Sequence, residues 1–200
     1  MSVPNSRPAQ AGFTLIELLI AMTVMAVVFL TFGIFFNNYL RSYADYQKDG
    51  SNFTQVSMQS ERIANVMRGL TAITSAAGDD LVGYAYFSPG DTYTSLTHYY
   101  YDSTAKSIKV EVTPMTANYP TGTPITAQKQ SYTIVDNYTK KTGSNLFDYF
   151  DSGGNAITLP ISDLDTIVDI QVNLVAATSQ TAAGQTLNVK VSLRNRKINL

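Results

Sequence analysis

Residues 13–36 read FTLIELLIAMTVMAVVFLTFGIFF, and Glu17 is the one charge among these 24 residues. The rest of the stretch is apolar, threonine or glycine. As a helix rising about 1.5 Å per residue it reaches about 36 Å, enough for the roughly 30 Å hydrocarbon core of a bilayer. A secretory signal needs an apolar region of only about 7–15 residues, then a small-x-small cleavage site. This run is longer, and Ser42-Tyr43-Ala44 matches such a site poorly. The expected element is therefore a membrane-spanning helix. Arg7 before it and Arg41 after it give the positive-inside rule little to count, and the lean is toward an N-terminus in the cytoplasm.

Glu17 needs a reason to be there. A carboxylate at the centre of a span costs about 2.5–3.5 kcal/mol, and less near an end. One reading is a terminal side chain snorkelling to the interface. The other is a carboxylate that meets a cation in an assembly. A cut between Gly12 and Phe13 would create an amine one helical turn before Glu17, on the same helix face. That ammonium would lie against the positive end of its own helix, and a neighbouring carboxylate offsets the repulsion.

Composition removes several functional classes. The chain has 200 residues, room for one modest domain plus an extended element. Fourteen basic and fifteen acidic residues give a net charge of −1, so no global field favours nucleic acid. Cysteine is absent and His98 is the single histidine. Thiolate metal sites, a cysteine nucleophile and His-rich centres are thereby excluded. No Gly-x-Ser-x-Gly elbow occurs. The expectation is a chain that is not an enzyme and holds no cofactor.

Residues 11–22, AGFTLIELLIAM, resemble the class III signal of type IV pilins and pseudopilins, a short leader ending in Gly ahead of Phe-Thr-Leu-Ile-Glu and a long apolar helix. The resemblance implies that a prepilin peptidase cuts after Gly12 and N-methylates Phe13. It implies that Glu17 pairs with the amine of a neighbouring subunit during filament growth. It further implies a leader, residues 1–12, on the cytoplasmic side. The chain would be single-pass in the cytoplasmic (inner) membrane before assembly and at the cell surface in the filament. The implied partners are the peptidase, other pilin or pseudopilin subunits and their assembly machinery. Many major pilins carry a proline within the membrane helix; here no proline lies between Pro8 and Pro89, and any unwinding would start at Gly33.

Beyond Phe36 the pattern becomes periodic. Tyr39, Tyr43, Tyr46, Gly50, Phe53, Val56, Ser60, Ile63, Met67 and Leu70 follow spacings of three and four, which marks an amphipathic helix. The domain reading is 13–36 membrane or filament-core helix, 37–75 amphipathic helix and 76–200 globular β-sheet domain. The helix is expected to run to about Ala72, with 75–80 as stop and turn. Strands are expected at 81–87, 96–101, 107–112, 131–135, 166–175 and 187–198. The last two alternate apolar and polar residues at period two, the sign of a sheet buried on one face. Residues 114–130 and 139–160 read as exposed loops. A one-faced sheet needs a cover, and the amphipathic helix supplies it. The expected fold class is α+β, a long N-terminal helix packed on an antiparallel sheet; the pilin resemblance implies the same lollipop shape.

Other constellations are weaker. Asp148, Asp151, Asn155, Asp163 and Asp165 gather oxygen ligands that would suit calcium, but EF-hand spacing is absent and solvated turns and caps are the reading taken. Tyr84, Tyr86, Tyr93, Tyr99, Tyr100 and Tyr101 with Lys140-Lys141 would suit DNA, yet tyrosine and lysine are not interleaved at any telling spacing. His98 reads as structural or exposed. Arg194-Asn195-Arg196-Lys197 reads as an edge-strand guard. Residues 187–200 resemble the end of J-type minor pseudopilins and PilW-like minor pilins. The functional expectation is a minor pilin of a type IV pilus or related pseudopilus. The alternatives are a pseudopilin of a type II secretion or DNA-uptake machine, and a membrane-anchored adhesin or DNA receptor that never polymerises.

Overall fold

A computed structural model describes residues 12–179 and 184–194. The leader residues 1–11 and most of the 194–197 basic run, with the end of the expected 187–198 strand, lie outside the described residues. Two units make up the chain, Met1–Tyr46 and Gln47–Leu200.

The described part of the first unit is the start of helix α1 (Leu15–Arg68). No side chain of residues 13–36 is buried, and one window of the helix has a mean hydropathy of 2.6, long and apolar enough to cross a membrane. Its threonines are spent on the helix itself: Thr23 Oγ1 donates to the Ile20 carbonyl and Thr31 Oγ1 to the Val27 carbonyl, each at 2.8 Å. A hydroxyl satisfied this way does not burden a span that meets no water. Phe32 stacks on Phe36 and Tyr39 on Tyr43, the four-residue spacing of one helix face.

In the second unit the amphipathic stripe is buried from Val56 onward, while Gly50 is exposed and Phe53 half-buried. Val56, Ser60, Ile63, Met67 and, just past the helix, Leu70 are all below a tenth exposed. The helix stops at Arg68, short of the Ala72 expected from the sequence. Gly69 and Leu70 close the last turn with i→i−3 bonds to Val66 and Met67 at 3.0 Å. Thr71 N–H then donates to the Tyr84 carbonyl at 2.7 Å and opens a sheet ladder. Glycine after the last turn ends the helix, and the β-branched Thr71, Ile73 and Thr74 prefer a strand. The segment read as helix and turn is thus strand β1 (Ala72–Ala76).

The antiparallel sheet expected from the alternation is divided in two. β1, β2 (Asp80–Ala85), β3 (Ser95–Asp102), β4 (Ser107–Pro114) and β5 (Gln130–Val135) form a five-stranded meander in sequence order. β6 (Phe147–Phe150), β7 (Asp169–Ala176) and β8 (Gln185–Ser192) form a three-stranded antiparallel sheet. β6 corrects the reading of 139–160 as loop throughout. Phe147 and Tyr149 point inward, and the strand is too short for its alternation to stand out. Ile63 and Met67 of α1, Leu81, Tyr99, Ile108 and Val110 of the larger sheet, and Phe147, Tyr149, Ile170, Val172 and Leu174 of the smaller one share a single core. The class is α+β, as expected. Two polar ties complete the unit: Tyr149 Oη donates to the Ala77 carbonyl at 2.8 Å, and Ser179 donates its N–H and hydroxyl to Asp49 at 2.9 and 2.7 Å.

Candidate processing and assembly site

The first described residues build a helix start. The Leu18 N–H donates to the Thr14 carbonyl at 3.2 Å, which makes Thr14 the N-cap. Thr14 Oγ1 accepts from the Glu17 N–H at 3.3 Å, and Glu17 Oε2 accepts from both the Thr14 N–H and the Thr14 hydroxyl at 2.9 Å. This is a reciprocal capping box, in which two otherwise unpaired donors of the first turn are satisfied by side chains. The carboxylate also sits at the positive end of the helix.

Phe13 is 87% exposed, and a Cβ added at Gly12 would meet nothing within 4 Å. Among the described residues no packing demands glycine at position 12. In the uncut chain residue 13 carries a peptide nitrogen rather than an amine, and Glu17 turns to Thr14. The sequence reading placed Glu17 opposite the amine that a cut after Gly12 would create and missed Thr14, although the Thr-x-x-Glu spacing before an apolar run is itself a helix-start signature.

The other candidates separate. Asp148 accepts from Asn145 and Asn173, Asp151 from the backbone N–H groups of Gly153 and Asn155, and Asp163 from the Asp165 N–H. They are acceptors within their own turns and cross-strand pairs; among the described residues no three His, Cys, Asp or Glu side chains gather for a metal. The Asn155 N–H chiefly, then the Asn155 side chain, hold the Asp151 carboxyl below its ordinary range.

The six tyrosines do not form one patch. Tyr99 is 2% exposed, and burial pushes its phenol up. Tyr84 stacks on Tyr119, and Tyr101 meets Tyr138 edge-on. Lys140 pairs with Asp79 and lies over the Tyr101 ring, so the expected basic spot is largely spent. His98 lies between two carboxylates, its Nε2 2.5 Å from Asp80 and its Nδ1 3.5 Å from Glu111. These come from the flanking strands, with Glu111 directly opposite His98 in the register. Lys129 pairs with Glu111 at 2.6 Å and holds its carboxyl below the usual range.

A family model described as the prokaryotic N-terminal methylation motif matches residues 7–32. No curated protein and no solved structure matches the chain. The motif spans Gly12, Phe13, the capping box and most of the apolar helix. Together with the α+β arrangement it supports a type IV pilin-like structural protein. It implies a prepilin peptidase as processing enzyme and other pilin subunits as assembly partners, and it is compatible with anchoring in the inner membrane.

Proposed function

We propose that this chain is a minor subunit of a type IV pilus or related pseudopilus. The observation that carries the reading is the methylation motif on an apolar stretch, residues 13–36, whose only charge is Glu17. The leader 1–12 is removed after Gly12 and Phe13 is N-methylated. The span 13–36 holds the subunit in the inner membrane until assembly, with the N-terminus in the cytoplasm, and then enters the filament core. On assembly the Glu17 carboxylate exchanges its Thr14 donors for the methylated amine of a neighbouring Phe13. Van der Waals packing of the apolar helices drives assembly, and the charge pair sets register. Residues 76–200 with the amphipathic helix before them form the part displayed outside the membrane. The role is structural, not catalytic.

Processing is tested by intact-mass and N-terminal fragment spectra of the chain isolated from cells with its cognate peptidase. The expected species begins at methylated Phe13. An unprocessed leader in cells that assemble filaments would overturn the reading.

A further inference from the structure

The second unit carries a cavity that assembly through the N-terminal helix does not use. It has a volume of about 960 Å³ and opens between the end of α1, the loop of residues 86–94 and the inner face of β4 and β5. That volume falls within the roughly 300–1,000 Å³ of small-ligand sites. Tyr86, Phe87, Tyr93 and Tyr132 line it, and the three tyrosines are each more than two-fifths exposed.

Three of these rings have partners that hold them. Phe87 stacks on Tyr132 at 5.5 Å with an interplanar angle of 20°, and the Arg62 guanidinium lies 5.5 Å from the Phe87 ring centre. Tyr86 Oη donates to Asn118 Oδ1 at 3.2 Å, and the same oxygen accepts from the Thr94 N–H at 2.9 Å. Asp91 Oδ2 accepts from the Phe87 and Ser88 N–H groups at 3.1 and 2.8 Å and fixes the loop that carries Phe87 and leads to Tyr93. Tyr86, Phe87 and Tyr132 are thus set before anything binds, which lowers the ordering cost of binding.

The charges narrow the ligand. Glu61, Arg62 and Asp91 are the charged residues lining the cavity, and Arg62 is already laid over Phe87. Two carboxylates against one guanidinium give the lining a net negative charge, which disfavours a phosphate or carboxylate ligand. A purely apolar ligand would waste Asn65, Gln130 and the carboxylate of Glu61. Flat aromatic faces beside amide and carboxylate side chains match a pyranose ring, whose C–H face stacks on an aromatic ring while its hydroxyls bond to planar polar groups.

We propose that this groove binds a neutral oligosaccharide. The test uses the full-length chain in amine-oxide micelles, because maltoside detergents carry a neutral disaccharide of their own. Saturation-transfer NMR is run with chitotriose, cellotriose and maltotriose, with sialyllactose and a proline-rich peptide as the anionic and peptide arms. At least one neutral trisaccharide is expected to receive saturation at its ring C–H protons. Tyr93→Ala and Tyr132→Ala are each expected to weaken that binding about tenfold, while Tyr93→Phe retains it. Tyr100→Ala, beside His98 and away from the groove, should leave it unchanged. Tyr93 lies half exposed in a loop, so its removal spares the core. No signal from any neutral trisaccharide up to about 10 mM, a signal untouched by both alanine variants, or binding confined to the peptide or the anionic sugar would overturn the proposal. Failure of this site leaves the assembly reading standing, since residues 12–17 take no part in it.

Discussion

Thr14 and Glu17 satisfy each other: two donors of Thr14 converge on one carboxylate oxygen at 2.9 Å, and the Glu17 N–H returns to the Thr14 hydroxyl at 3.3 Å. The carboxylate that the assembly reading assigns to a neighbour's amine therefore has a resting partner within its own first turn.

Removing that partner has a local signature. Thr14→Ala should cost the helix start about 1 kcal/mol, and Thr14→Ser should cost little. Hydrogen exchange in micelles should show faster exchange at residues 15–18 in the alanine variant alone. Equal protection in both variants would mean that the cap carries no weight.

Two glycines should respond to alanine in opposite directions. At Gly50, a helical position, the added methyl meets nothing within 4 Å, and Gly50→Ala should stabilise by about 0.5–1 kcal/mol. At Gly83 the methyl would lie 2.6 Å from Leu70 Cδ2 and 2.7 Å from the Ala72 carbonyl oxygen, so Gly83→Ala should destabilise by about 1–3 kcal/mol. Urea midpoints of the detergent-solubilised chain measure both.

Tyr149 joins the smaller sheet to the Ala77 carbonyl through its hydroxyl at 2.8 Å, and its ring is 1% exposed. Tyr149→Phe keeps the ring and deletes the bond. The expected loss is about 1 kcal/mol with an unchanged denaturant slope. A changed slope would mean that the two sheets no longer unfold together.

Acid should weaken the second unit in a predictable direction. The Lys129 ammonium holds the Glu111 carboxyl low, and the Ala105 N–H, followed by Lys109, does the same for Asp102. A carboxyl depressed in the folded state binds fewer protons there than in the unfolded chain. Its stabilisation is present above the unfolded value of about 4 and is lost as pH falls through the folded value. Urea midpoints should therefore drop between about pH 5 and pH 2, and Lys129→Ala should flatten part of that drop. At the alkaline end, burial pushes the Tyr138 phenol to about 12. A raised phenol contributes stability that is complete below about 10 and disappears as pH climbs through the folded value. Phenolate absorbance should accordingly show a late-titrating class that merges with the exposed tyrosines after unfolding.

The helix was legible because two patterns run in series, an unbroken apolar run and then a stripe at spacings of three and four. β7 and β8 were legible because Ile170, Val172 and Leu174, and then Val189 and Val191, alternate with polar neighbours. β1 was missed because Gly69 was not weighed as a stop and Ala72 extends a helix as readily as it opens a strand. The split into two sheets depends on which strands pair, and Tyr149 and Ala77 meet across 72 residues. At the site, the spacing from Phe13 to Glu17 bears on the proposed processed chain, while the Thr14 cap is what the structure of the full chain shows. The carboxylates around His98 come from strands on either side, and sequence spacing carries no trace of that register.

The central claim is that Glu17 recruits the next protomer. Filaments sheared from cells expressing the wild-type chain or Glu17→Gln, with membrane fractions from the same cells, are compared by quantitative mass spectrometry of this polypeptide. The account predicts wild-type chain in the filaments, and the glutamine variant processed and present in membranes but depleted from filaments by at least about tenfold, the effect of a coupling near 1.4 kcal/mol. Equal incorporation of both forms, or filaments that never contain the wild-type chain, would contradict it.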